Sequence, residues 1–200
     1  MVLVIAGMVL GCSALSEKII SKELIFERAV VNIEIEEDYV HITGEFFLKN
    51  YSDESSFIIG YPLHIDEYMA PPSSVEVFLD NNKINYKKVD QGDIIFKVDI
   101  GKFERKIVKI DSYQKLNRKD EFKVTYITRS IKTWRKPLKN EKFIIKIPKE
   151  YTVKEISFPV REIKEQNEFL IYYIDMDNLY PDIDLVLYLE IKDSKRGENV

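Results

Sequence analysis

Cysteine is almost absent. The chain of 200 residues contains one, Cys12, so no intrachain disulfide can staple it and a folded domain must rest on its hydrophobic core. Glycine is scarce, and its seven residues never cluster, which excludes the glycine-rich loops that cradle phosphates. There are two histidines, His41 and His64, where zinc sites want three or four ligands at their own spacings. Each reads as a strand-surface or strand-end side chain, and no serine sits in a G-x-S-x-G elbow. No apolar run approaches the roughly 20 residues that a spanning helix requires. Acids and bases nearly balance, 34 against 30 for a net charge of −4, so nothing supplies the positive footprint of a nucleic-acid binder. No cofactor and no nucleic-acid partner are expected.

What the chain has is alternation. Val31, Ile33 and Ile35 fall on one face, and Asn32, Glu34 and Glu36 on the other. After a turn at Glu37-Asp38, Val40, Ile42, Phe46 and Leu48 point inward while Tyr39, His41, Thr43, Glu45 and Lys49 point outward. Period two with one apolar face marks half-buried antiparallel strands. A second hairpin is expected at Asn81-Asn82, because Asn tolerates the positive φ of a two-residue turn. Further runs around GDIIFKVDI, RKIVKIDSY, EFKVTYITR, EKFIIKIP, EFLIYYI and DIDLVLYLEIKD bring the total to about eleven strands. Turn chemistry separates them, including Pro137 with Asn140. Only residues 16–27 approach helical spacing. The pattern predicts an all-β, antiparallel, Greek-key-like β-sandwich over residues 23–192, with a flexible tail at 193–200.

The sequence opens MVLVIAGMVLGCSALSEK. Val2 to Gly11 is uncharged and of the length of a secretory signal's apolar h-region, and Val9-Leu10-Gly11-Cys12 resembles the lipobox of bacterial lipoproteins. The resemblance implies cleavage between Gly11 and Cys12, thioether lipidation of Cys12, and two acyl chains that anchor the chain stably. It divides the start into a signal at 1–11, with its basic n-region expected upstream, and a lipidated tether at 12–22. A second, looser resemblance runs through Phe46-Phe47-Leu48-Lys49-Asn50-Tyr51-Ser52, Tyr61-Pro62-Leu63, Tyr126 with Thr128, Trp134 and Pro137-Leu138. This progression is similar to that of uncharacterised exported bacterial β-sandwich proteins. It implies a fold and a compartment, and brings no catalytic residues with it.

Three segments are candidate sites. Tyr61, Pro62, Tyr68 and Met69 lie in a proline-punctuated stretch that reads either as a binding loop or as the plug of an open sandwich end. Arg129, Lys132, Trp134, Arg135, Lys136 and Lys139 form a basic run. It reads either as a surface for anionic headgroups or wall polymer, or as a hairpin with a protected edge. Asp175, Asp177, Asp182 and Asp184 could offer oxygen ligands to Ca²⁺, but acids around a proline are also ordinary turn chemistry, and no metal is expected. The expectation is therefore a lipid-anchored protein on the extracytoplasmic face of the cell membrane. It would be a non-catalytic binding or interaction module for an envelope protein or wall polymer. The alternatives are a polysaccharide hydrolase with paired carboxylates, or a structural subunit of an envelope complex.

Overall fold

The computed structural model describes residues 2–4, 24–89, 92–134 and 137–192. Apart from one 3₁₀ helix at Arg129–Trp134, its regular elements are all strands. In chain order these begin with β1 (Val2–Val4), β2 (Leu24–Ile35), β3 (Tyr39–Asn50), β4 (Ser56–Tyr61) and β5 (Met69–Leu79). Next come β6 (Asn82–Ile84), β7 (Tyr86–Lys88), β8 (Ile94–Asp99), β9 (Arg105–Leu116) and β10 (Glu121–Tyr126). The last five are β11 (Leu138–Pro148), β12 (Tyr151–Ile156), β13 (Glu162–Gln166), β14 (Phe169–Leu179) and β15 (Leu185–Ile191). The expected leader and tether beyond Val4, with Gly11 and Cys12, and the expected tail from 193 lie outside the described residues.

An eight-stranded sheet runs β13-β14-β11-β2-β3-β9-β5-β6. Against it lie a four-stranded sheet, β1-β4-β8-β7, and a three-stranded sheet, β10-β15-β12. All three feed a single core, to which the large sheet brings Val31, Ile33 and Phe143, and the smaller ones Phe57, Phe96 and Leu187. Edge-to-face aromatic contacts cross between the layers, Phe46 on Tyr61 at 5.9 Å and Phe143 on Tyr126 at 5.8 Å. The all-β sandwich is as the alternation predicts.

Most pairings are antiparallel, but β2 lies parallel to β11 and β1 parallel to β4. The chain changes sheet at most of its connections, for instance from β3 to β4, from β4 to β5 and from β10 to β11. That traffic lets β11 arrive beside β2 in the middle of the large sheet. Among the described residues there are fifteen strands rather than about eleven. Of the additional ones, β12 and β13 are sheet edges, β13 largely exposed and β12 mostly half-buried without alternation, so they carry little of the period-two contrast that a half-buried strand shows. A break at Asn85 divides another expected strand into β6 and β7, which belong to different sheets.

Three local expectations need correction. Leu24 to Glu27 belongs to β2, not to a helical turn, since it pairs along β3. The basic segment after Tyr126 is no hairpin. It forms the 3₁₀ helix that carries the chain from one layer to the other, and Asn140 lies inside β11 instead of in a turn. The second hairpin turns at Asp80-Asn81, with φ of 48° and 68°, and Asn82 already pairs with Leu79. Asp80 is held there because its carboxylate accepts the Ile107 N–H at 2.9 Å while its own N–H donates to the Ile107 carbonyl at 2.9 Å. Asn81 has no such tie. Asn81→Gly should relieve its left-handed backbone and raise stability by about 0.5 kcal/mol, less than the full strain because glycine loses more entropy on folding. A urea midpoint that falls would overturn this.

Candidate functional site

The sandwich is not filled where β2, β4 and β10 approach the start of β11. A recess of about 70 Å³ opens there, walled by Phe26, Phe46, Ile59, Tyr61, Tyr126 and Leu138 among others. By the roughly 10–15 Å³ that one water needs, it has room for several waters or a short apolar group. Local sequence builds this wall. Gly44 lets the Phe46 ring lie over β3, since a Cβ at that position would meet Phe46 Cε2 at 2.7 Å. Phe26 stands edge-on to Phe46 at 6.1 Å, continuing the aromatic lining.

One acid faces this lining. Glu141 lies in β11 on the same face as Phe143, Ile145 and Ile147, and is 2 % exposed. Its Oε2 has no hydrogen-bond partner among the described residues. Burial alone pushes its carboxyl up to about 8, so near neutrality it holds its proton. Beside it, the Tyr61 and Tyr126 hydroxyls are hydrogen-bonded to each other. Burial raises Tyr61 to about 12 against the effect of that bond, and the Glu141 charge adds to the rise. Tyr126 is raised well above its ordinary range, by burial first and then by Tyr61 and Glu141. The site is thus an apolar recess with two neutral phenols and one unpartnered acid. Orphaned buried polar groups are uncommon enough that each asks for a partner.

The structure divides the expected loop site. Tyr61 and Pro62 line the recess, but Met69 begins β5 and is fully buried, its Sδ accepting the Thr125 N–H at 3.2 Å. Tyr68 is half-buried, fixed by Asp66, whose Oδ1 accepts the backbone N–H of Tyr68 at 2.8 Å and of Met69 at 2.9 Å. Burial opposes ionisation of Asp66, yet hydrogen bonds from His64, these two amides and Lys123 outweigh it and lower the carboxyl to about 2. This corner is a locked connection.

Of the expected basic surface, Arg129 and Lys139 are among the described side chains. Arg129 is tied to Asp184, at 2.9 Å from Nε and 2.8 Å from Nη2. Lys139 is exposed on β11 beside a different recess, which Arg28, Arg105 and Glu27 also line. The side chains of Lys132 and Trp134, and residues Arg135 and Lys136, lie outside the described residues.

The four aspartates do not gather into one loop. Asp175 and Asp177 belong to β14, where Asp175 pairs with Arg161. Asp184 instead caps the 3₁₀ helix, accepting the N–H groups of Thr128 and Arg129 at 3.0 Å each. Among the described residues no group of three or more His, Cys, Asp or Glu side chains is placed to hold a metal.

On the outer face of the large sheet, His41 Nε2 lies 2.9 Å from Asp111 Oδ1 and 3.2 Å from Thr43 Oγ1. A nucleophile–base–acid relay needs the hydroxyl and the carboxylate on opposite ring nitrogens. Here both meet the same one, and the His41 ring stacks flat on Tyr113 at 4.0 Å. The cluster is a cross-strand polar contact. Glu141 is the residue that sequence reasoning missed, because Asn140 reads as a turn and the acid after a turn reads as solvated. Counting back by twos from Ile147 through Ile145 and Phe143 reaches it.

No family model matches the chain. No curated protein matches it either. Solved structures do share its fold. A Legionella pneumophila protein provisionally described as nutrient binding superposes with a TM-score of 0.67 at 12% identity, over 84% of this chain and 67% of that one. An M1 zinc metallopeptidase from Deinococcus radiodurans superposes with a TM-score of 0.51 at 7% identity, over 84% of this chain and 42% of the peptidase. The chain therefore spans less than half of the peptidase, and its sequence contains no H-E-x-x-H pattern. At such identities the likeness is one of fold, which hosts unrelated functions.

Proposed function

We propose that this chain is a lipoprotein held by Cys12 at the extracytoplasmic face of the cell membrane, and that its sandwich is a non-catalytic binding module. The observation that carries the binding half is the apolar recess with its unpartnered acid, since concave apolar sites with few polar groups are where small ligands bind. The related fold of a protein described as nutrient binding accords with it. Among the described residues Glu141 is the one acid lining this recess, so a glycosidase pair of carboxylates has no second member among them. The anchoring half rests on Val9-Leu10-Gly11-Cys12, and cleavage there would remove β1, an edge strand that among the described residues pairs only with β4. An anchor would raise the module's effective concentration for partners at the membrane.

Two measurements test the halves separately. Intact mass of protein taken from host membranes should give a chain that starts at Cys12 and carries a diacylglyceryl group, and Cys12→Ser should lose it. Retention of Val2 to Gly11 with an unmodified thiol would overturn the anchoring. For binding, 1-butanol should produce saturable shifts in the methyl resonances of Ile59, Ile127 and Ile131, which line the recess. Shifts that saturate with neither 1-butanol nor n-butylamine, or that spread evenly over the molecule, would overturn the module.

A further inference from the structure

Resting on that binding reading, we propose that the recess takes a small cationic amphiphile, an ammonium group on a short apolar body, with Glu141 as the counter-ion. The apolar walls fit the body, and about 70 Å³ limits it to a few carbon atoms beyond the head. An ammonium carries three donors and no acceptor. The wall offers Glu141 Oε2, which nothing among the described residues satisfies, and the phenol oxygens of Tyr61 and Tyr126. An anionic ligand would find an acid and no cation among the described lining residues.

The groups that face Glu141 are few. Tyr61 comes from β4 and Tyr126 from β10, while its neighbours along the sheet are Ala29 of β2 and Met176 of β14. Among the described residues no charged side chain contributes to its raised carboxyl, which follows from burial. Binding is therefore coupled to a proton. Below about pH 8 the empty recess holds the neutral acid, and the ammonium enters as that proton leaves to solvent. The carboxylate and the ammonium then neutralise each other, and no covalent bond changes.

The test uses n-butylamine and 1-butanol as probes, followed by the same Ile methyl resonances. An alkylamine stays protonated to about pH 10, like lysine, so its own titration does not interfere. In the wild type the n-butylamine affinity should climb about ten-fold per pH unit from about pH 6 and level off near pH 8. The 1-butanol affinity should stay flat. Glu141→Gln should remove the climb, and the wild-type profile is informative even if that variant folds poorly. A flat n-butylamine profile, or shifts with 1-butanol alone, would overturn the amine ligand and leave the binding module standing. Saturable shifts with neither probe would overturn both.

Discussion

As pH rises from about 5 to about 8, the wild-type protein is expected to lose stability that a Glu141→Gln variant keeps. Glu141 sits near 8 in the fold and near 4.5 when exposed in the unfolded chain. Between those values the native state holds a proton that the unfolded state has released. The stabilisation is complete below the unfolded value, declines by about 1.4 kcal/mol per pH unit, and is gone above the folded one. Over the whole interval this is on the order of 4–5 kcal/mol as an upper bound, a large share of the roughly 5–15 kcal/mol that holds a domain together.

Glutamine keeps the shape and is neutral throughout, so its curve should run at or slightly below the wild type at pH 5 and above it at pH 8. Glu141→Leu, which removes the orphaned oxygen as well, should exceed both at pH 8. Urea midpoints at three pH values decide the matter. Taking differences between variants cancels Asp66, which acts with the opposite sign and supplies stability that disappears as pH falls through about 2. Parallel curves for wild type and Gln would show that Glu141 is hydrated in the native state.

Where one face of a strand is buried and the other wet, its sequence states as much. Val31, Ile33 and Ile35, and Val40, Ile42 and Leu48, are buried as alternation requires, with the turn at Glu37-Asp38 between them. Where that contrast is missing, as in β12 and β13, there is little to read. Turn chemistry proved good to one residue. Asn81 and Asn82 are equally suited to a turn, and the pair of bonds between Asp80 and Ile107 decides for Asp80-Asn81. No local pattern contains that choice, because Ile107 lies on a strand distant in sequence.

The site was half legible. Tyr61, Pro62, Tyr126, Pro137 and Leu138 belong to the quoted progression of motifs, and all five line the recess. Glu141 was hidden by its type. An acid at an inward position looks like a break in the pattern, although here it continues it. The aspartates from Asp175 to Asp184 show the opposite case, since closeness in sequence does not gather side chains into one loop when Asp175 and Asp177 lie along β14 and Asp184 turns to the 3₁₀ helix.

Asn50 is expected to be the most damaging residue to remove outside the apolar core. It belongs to the same progression, together with Ser52, and is completely buried at the end of β3, opposite Leu24 of the recess wall. Its side-chain amide donates to the Glu54 carbonyl at 2.6 Å and to the Ile100 carbonyl at 2.9 Å. Its side-chain oxygen accepts the N–H and the hydroxyl of Ser52, each at 2.8 Å. One residue thus joins the chain ahead of β4 to the chain after β8, and its loss would strand the Ser52 N–H and the Ile100 carbonyl, while the Ser52 hydroxyl still donates to the Glu54 carbonyl at 3.1 Å. Asn50→Ala should cost about 3–5 kcal/mol, since unpaired buried groups cost about 1–3 each and do not simply add.

Asn50→Asp separates this account from mere packing. The carboxylate keeps the acceptor side but turns negative oxygens toward two carbonyls. Its carboxyl should therefore rise above the ordinary value, because only the protonated form can donate to Ile100 or Glu54. The deficit against wild type should be small at acid pH and grow as pH rises through the unfolded and then the folded value, while Asn50→Ala shows a deficit nearly independent of pH. Equal, flat deficits for both variants would mean that the amide's two donated bonds contribute little. The tie between β3 and the β8–β9 connection would then rest on its backbone bonds, from Phe103 N–H to the Asn50 carbonyl at 2.7 Å and from Asn50 N–H to the Glu104 carbonyl at 3.1 Å.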